Sequence, residues 1–298
     1  MSIQGDKLLR RRVLVSIIKI ILILMFGFIA IAGGLLVGKI IVGKFDTFDP
    51  TKYTAESYIE SPQNVALWSS KNINELTPTQ IFCVAESNIL KCENYSIKTK
   101  GYDGEDKGVV IALGVRQDLY GYRYRNGNKG YFDYFSTSSL ATVVKKTEFL
   151  FGDDKYYCYE GSMNGDNTNW EIKKTESGSD FFSSEEYKAM TGCDAENPID
   201  YIVSTKTVTS EQTNGKEGNI YSYTLILDTK ASVLNYVKKM DYMSGFGYPK
   251  FNSVELQFEV DENMNFQNIR INESYKVIGM DANSKYKMEF EYDGFEIR

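Results

Sequence analysis

The chain contains no histidine in its 298 residues. That excludes Ser-His-Asp and Cys-His nucleophile systems, histidine general bases and the common zinc sites. No nucleophile elbow, phosphate-binding glycine loop or metal-ligand cluster is present either. Acidic pairs occur at Asp103/Glu105/Asp106, Asp153/Asp154 and Asp261/Glu262. All three sit in stretches read as turns, where solvated carboxylates are the ordinary explanation. The sequence therefore points away from an enzyme, with no catalytic residue, no metal and no cofactor expected. Repeats and low-complexity tracts are also lacking.

Cysteine is scarce. Cys83, Cys92, Cys158 and Cys193 are the four present, and their spacing is not that of a zinc ribbon. An even count permits disulfides, with the connectivity open. Buried free thiols remain the other possibility. Cys83 and Cys92 lie on one expected helix, roughly 13 Å apart along its axis, beyond the ~7 Å that a bridge tolerates. Any bridge from Cys83 therefore goes to Cys158 or Cys193.

Charge is absent from one long stretch, Ile20 to Gly38, which reads IILILMFGFIAIAGGLLVG. At about 1.5 Å per residue this reaches about 28 Å, enough to cross a bilayer core of ~30 Å. Ala30-Ile31-Ala32 also resembles a signal-peptidase site, but the apolar run continues to Val42, which favours an uncleaved anchor. Ala30, Gly34 and Gly38 line one helix face. Residues 1–44 carry seven Lys/Arg and one Asp, a net +6, and the whole chain is −6, leaving −12 beyond residue 44. The positive-inside rule then places the N-terminus in the cytoplasm and the acidic part outside.

The expected organisation is a cytoplasmic basic segment (1–19), a transmembrane anchor (20–42), a polar stalk (43–62) and an extracytoplasmic β-rich domain (63–298). The localisation that follows is the cell membrane, single-pass. An acidic exterior argues against nucleic acid as a partner.

Local signals fill in the domain. Thr77-Pro78-Thr79-Gln80 is a capping box with proline at the first helical position, and Ile81, Phe82, Ala85 and Ile89 follow at helical spacing. Val109–Val115 reads as a strand. Leu119 to Phe135 (LYGYRYRNGNKGYFDYF) reads as a hairpin about Asn126-Gly127, a favoured type I′ turn. That turn pairs Arg125 with Asn128 and sets Tyr122 opposite Tyr131. Tyr120, Tyr122, Tyr124 and Tyr131 then share one face with Phe135. Such a platform could stack on a sugar or line a hydrophobic groove, or simply stabilise the sheet by cross-strand pairing. These four tyrosines are the candidate ligand-binding residues.

Strands follow at Val143–Phe151, Lys155–Glu160 and Trp170–Lys174. The loop 164–169 has oxygen ligands but lacks the calcium-loop register. Ser183-Ser184-Glu185-Glu186 caps a short helix ending near Gly192. Tyr201–Val208 and Asn219–Leu227 read as strands. Asp228 or Thr229 caps a helix over Ala231–Met243. The chain ends in a three-strand meander: Val254, Leu256, Phe258 and Val260, then Ile269, Ile271, Tyr275 and Val277, then Tyr286, Met288, Phe290 and Tyr292 alternate with polar residues. The fold class is thus α+β, mainly antiparallel β. It comprises a single N-terminal transmembrane helix followed by a curved antiparallel sheet with two or three covering helices.

From Ser183 onward, the order of capped helix, strand, strand, capped helix and meander resembles the lipoprotein-carrier type of bacterial extracytoplasmic domain, the LolA/LppX-like half-barrels. The meander VELQFEVDENMNFQNIRI is part of that resemblance, which covers about the last 115 residues and rests on pattern. It implies a half-barrel enclosing an apolar cavity for acyl chains, and it transfers no functional residue. A retained membrane span departs from carriers that must leave the membrane. Together these readings predict a non-catalytic binding module for a lipid or other hydrophobic ligand. The competing expectation is a structural or interaction component of a cell-envelope assembly.

Overall fold

A computed structural model describes residues 48–104, 117–137, 142–164, 167–244, 247–277 and 280–292. Eleven strands form one antiparallel sheet: β1 (Asn94–Gly104), β2 (Gln117–Asn126), β3 (Lys129–Thr137), β4 (Thr142–Leu150), β5 (Lys155–Asn164), β6 (Asn167–Ile172), β7 (Val208–Glu217), β8 (Ile220–Leu227), β9 (Lys250–Val260), β10 (Phe266–Val277) and β11 (Met280–Glu291). Their order is β6-β5-β4-β3-β2-β1-β11-β10-β9-β8-β7. Two meanders, β1 to β6 and β7 to β11, are thus joined where the first strand pairs with the last, from Ser96 opposite Glu291 to Gly104 opposite Asn283.

Among the described residues four α-helices accompany the sheet: α1 (Pro62–Ser69), α2 (Pro78–Lys91), α3 (Ser184–Thr191) and α4 (Leu234–Ser244). This corrects the expected architecture of a single transmembrane helix followed by a sheet with two or three covering helices. Among the described residues no helix is long and apolar enough to cross a membrane. The basic segment 1–19, the stretch Ile20–Val42 and the Val109–Val115 strand lie outside the described residues.

The capping signals act as the sequence implies. Thr77 and Gln80 form a reciprocal capping box on α2, with Pro78 at its start, and Ser183 and Glu186 do the same on α3. Gly192 ends α3 in the left-handed region, φ 77°. Asp228 Oδ1 accepts from the backbone N–H of Lys230 and Ala231 at 2.8 and 2.6 Å, closing the turn that leads to α4.

Tyr201–Val208 is not a strand. Hydroxyl groups redirect its backbone: Ser204 N–H donates to Thr207 Oγ1 at 2.9 Å, and that hydroxyl donates to the Ile202 carbonyl at 2.8 Å. Such local side-chain bonds compete with sheet ladders.

The stretch read as a stalk folds back onto this loop. Ser204 Oγ donates to the Tyr58 carbonyl at 2.6 Å, Glu60 Oε2 accepts from Thr205 N–H and Oγ1 at 3.1 and 2.7 Å, and Lys206 Nζ donates to the Ser57 carbonyl at 2.8 Å. Phe48 packs on the core and Pro50 is buried.

The inner face of the sheet carries two apolar clusters. The larger joins α1, α2 and α4 to β1 and β8 to β11, and Phe82, at its centre, meets Phe258 and Phe266 edge-on at 5.2 and 5.1 Å. Phe82, Ala85, Leu225, Val254, Leu256, Phe266 and Ile269 have no exposed surface. These side chains pack between the sheet and α2. The smaller cluster is Phe149, Tyr156, Cys158, Phe182, Tyr187 and Ala195.

β2 separates the two clusters because its inner face carries guanidinium groups. Arg123 is 8% exposed, donates to the Ala195 carbonyl at 2.9 Å and lies over Phe132. Arg125 donates to the Leu90 carbonyl at the end of α2 and stacks on Phe151.

Candidate functional site

Strand alternation sends Tyr120, Tyr122 and Tyr124 of β2 to the face opposite both clusters, and the cross-strand register brings Tyr131 of β3 beside them. The expected turn is shifted by one residue. The two-residue loop is Gly127-Asn128, with Asn126 opposite Lys129, so Tyr131 lies opposite Tyr124 and Tyr122 opposite Asp133. Gly127 has φ 56°, whereas Asn128 is not in the left-handed region. Glycine at the first central position with positive φ is the type II′ preference, and it overrides the type I′ reading of Asn-Gly.

All four predicted tyrosines are thus on one surface. The Tyr124 and Tyr131 rings stack at 5.6 Å and 15°, and Tyr122 and Tyr124 lie 6.1 Å apart. Tyr120 is 43% exposed and Tyr122 only 6%, while Tyr124 and Tyr131 are half-buried.

The face continues across strands whose pairing order the sequence does not reveal. Register carries it from Tyr131 to Glu148 on β4 and Tyr157 on β5, and from Asp133 to Lys146, Tyr159 and Ile172. Trp170 of β6 sits opposite Gly161. A Cβ on Gly161 would come within 3.0 Å of the indole Cζ3, so the glycine lets the ring lie close over the strand. Trp170 nonetheless keeps 38% of its surface exposed. The Lys146 ammonium sits 4.3 Å from the Tyr159 ring centre and 5.1 Å from that of Trp170, and pairs with Glu148 at 3.1 Å. Period-two alternation in KYYCYEGS already marks Tyr157 and Tyr159 as sharing a face. Only the strand order adds them to the hairpin.

Electrostatics hold the hydroxyls of Tyr124, Tyr131 and Tyr159 protonated. Burial raises the Tyr131 hydroxyl above the usual range, and Asp133 and Glu148 add to it. Burial and Glu148 likewise raise Tyr124 and Tyr159. Tyr131 donates to Asp133 Oδ2 at 3.4 Å, and the Tyr122 backbone N–H donates to Oδ1 at 2.8 Å. The result is a set of rings interleaved with the carboxylates of Asp133 and Glu148 and the ammonium of Lys146, with Lys98 and Lys100 of β1 beside Tyr122 and Tyr120.

The four cysteines, candidates for bridges, are free thiols. Cys83 belongs to the larger cluster and Cys158 to the smaller, which keeps them apart. Cys83 donates to the Val203 carbonyl and Cys193 to the Asn235 carbonyl, while Cys92 ends α2. Burial pushes Cys158 up to about 11. Among the described residues no group of acidic and cysteine side chains is placed to hold a metal.

A polar network that the sequence did not suggest lies on the inner face. Glu273 of β10 is 4% exposed and accepts hydrogen bonds from Tyr201 and, at 3.1 Å, Tyr236. The Tyr201 hydroxyl is also 3.1 Å from that of Tyr286. Beside it Lys239 pairs with Asp200 at 2.6 Å.

No family model matches the chain, and no curated protein does. Solved structures give weak likenesses. The ywiB protein of Bacillus subtilis is 11% identical over 66% of this chain and 91% of its own, with a TM-score of 0.17. A putative outer membrane protein of Bacteroides fragilis is 8% identical over 64% and 96%, at 0.15. MucB in complex with MucA(peri) is 8% identical over 70% and 93%, at 0.11. These scores carry no argument about fold or function.

Proposed function

We propose that this protein is a non-catalytic binding module whose ligand lies on the outer aromatic face of β2 to β6. The observation behind this reading is the assembly of Tyr120, Tyr131, Tyr159 and Trp170 on one surface, with Tyr120 and Trp170 among the most exposed large apolar side chains. Aromatic rings that stay exposed are the groups that contribute most per residue to recognition.

The neutral fluorophore N-phenyl-1-naphthylamine tests the reading. Its emission should rise saturably with protein, with energy transfer from Trp170, and should fall at least fivefold in Trp170→Ala and in Tyr131→Ala. Enhancement unchanged in both variants would place the apolar site elsewhere.

A further inference from the structure

We propose that the ligand of this face is a neutral glycan, stacked on Trp170 and hydrogen-bonded by Lys146 and Glu148. The inference rests on the reading of the outer face as the binding surface and names the chemistry that surface fits. Three observations carry it.

Trp170 packs closely over Gly161, where any larger residue would lift it, and still leaves more than a third of its surface in water. A flat ring held close to a sheet is a rigid platform for another flat body, and a pyranose offers the C–H face that packs on one. Second, the platform is bordered by opposite charges. Lys146 lies 5.1 Å from the indole centre, Glu148 is paired to it at 3.1 Å, and Asp133 is opposite Lys146 in the register. An alkyl chain laid here would strip water from an ammonium and two carboxylates and return no hydrogen bond, at a cost of kilocalories per group. Sugar hydroxyls both donate and accept, so they replace that water on Lys146 and on the carboxylates alike. Third, the sign of the surroundings disfavours polyanions. Around Trp170 the carboxylates of Asp133 and Glu148 outnumber the Lys146 ammonium, and Lys98 and Lys100 lie at the far, β1 side of the face. A phosphate-bearing polymer would meet repulsion where a neutral one meets only dipoles.

Tyr131 extends the platform on the far side of Glu148, and burial and the two carboxylates hold its hydroxyl protonated. Tyr131, stacked on Tyr124, is opposite Glu148 in the register, so a chain of sugars can follow the strand order from β6 toward β2.

Affinity electrophoresis of the full chain through gels holding laminarin, hydroxyethylcellulose, mannan or dextran tests the proposal. The expected result is retardation by at least one of them. The apparent Kd should weaken at least tenfold in Trp170→Ala and severalfold in Lys146→Gln, and stay unchanged in Leu67→Ser, whose side chain is exposed on α1. Circular dichroism of each variant confirms folding. Absence of retardation by all four polymers, with naphthylamine binding at Trp170 intact, overturns the glycan and leaves the binding face standing. Loss of both signals overturns both readings. Retardation that persists in Trp170→Ala and Lys146→Gln also sinks the proposal, because the sugar would then sit elsewhere.

Discussion

Replacing Glu86 by glutamine should stabilise the protein above neutral pH and leave it unchanged in acid. Glu86 lies on the middle of α2, and its Oε1 accepts from Asn197 Nδ2 at 2.8 Å. Burial pushes its carboxyl up from 4.5 to about 7, and the Asn197 bond only partly opposes this. No charged neighbour contributes to the shift, and the nearby Cys83 on the same helix carries no positive charge. A group whose folded pKa exceeds its unfolded value binds more protons when folded. Its contribution is therefore complete below about pH 4.5 and is lost as pH rises through about 7. A rise of this size corresponds to about 3 kcal/mol between the two limits. Glutamine stays neutral at every pH and can still pair with Asn197. Urea unfolding at acid, neutral and mildly alkaline pH should show Glu86→Gln indistinguishable from the parent near pH 4.5. The variant should be more stable by up to about 3 kcal/mol near pH 8. A stability difference that is the same at all three values would show that ionisation of Glu86 costs the fold nothing, and the reasoning would fail.

Other perturbations follow from the same geometry. Tyr201→Phe removes a hydroxyl donor from buried Glu273, and about 2 kcal/mol should be lost in denaturant melts, as for hydrogen bonds to charged groups. Gly161→Ala forces a methyl against Thr168, Trp170 and Val144, so stability should fall by about 1–3 kcal/mol and the emission of Trp170 should shift to the red. Under native conditions Ellman's reagent should titrate Cys92 first. Buried Cys83, Cys158 and Cys193 should react only on unfolding, and four equally fast thiols would contradict the packing.

Much of the sheet was legible because one wet face and one dry face write themselves as alternation. Val254, Leu256, Phe258 and Val260 are all fully buried or nearly so, as that pattern implies. Both capping boxes were equally plain, since they are local chemistry between residues three apart. The hairpin register differs from the expected one because Asn-Gly and Gly-Asn turns share a glycine, and it is Asn126, which would need positive φ in the type I′ turn and does not have it, that separates them. Tyr201–Val208 misled because its apolar start hides the Ser204 and Thr207 hydroxyls that turn the chain. The site was half visible. Tyr120, Tyr122, Tyr124 and Tyr131 share a hairpin, but Lys146, Glu148, Tyr159 and Trp170 reach them only through pairings that no local pattern encodes.

The pairing of β1 with β11 has a consequence for how the chain folds. Every other neighbour in the sheet is adjacent in sequence, so each meander can zip from its own hairpins. The junction cannot. Ser96 waits for Glu291, and at its tightest point Gly101 passes so close to Tyr286 that no side chain could stand there. On a ribosome the N-terminal meander would be complete while β1 still presented an open edge, with its partner, Glu291 for Ser96, 195 positions further along the chain (291 − 96). Closure of this one seam is the natural late step of folding, and until it happens β1 is the strand with which a neighbouring chain could wrongly pair.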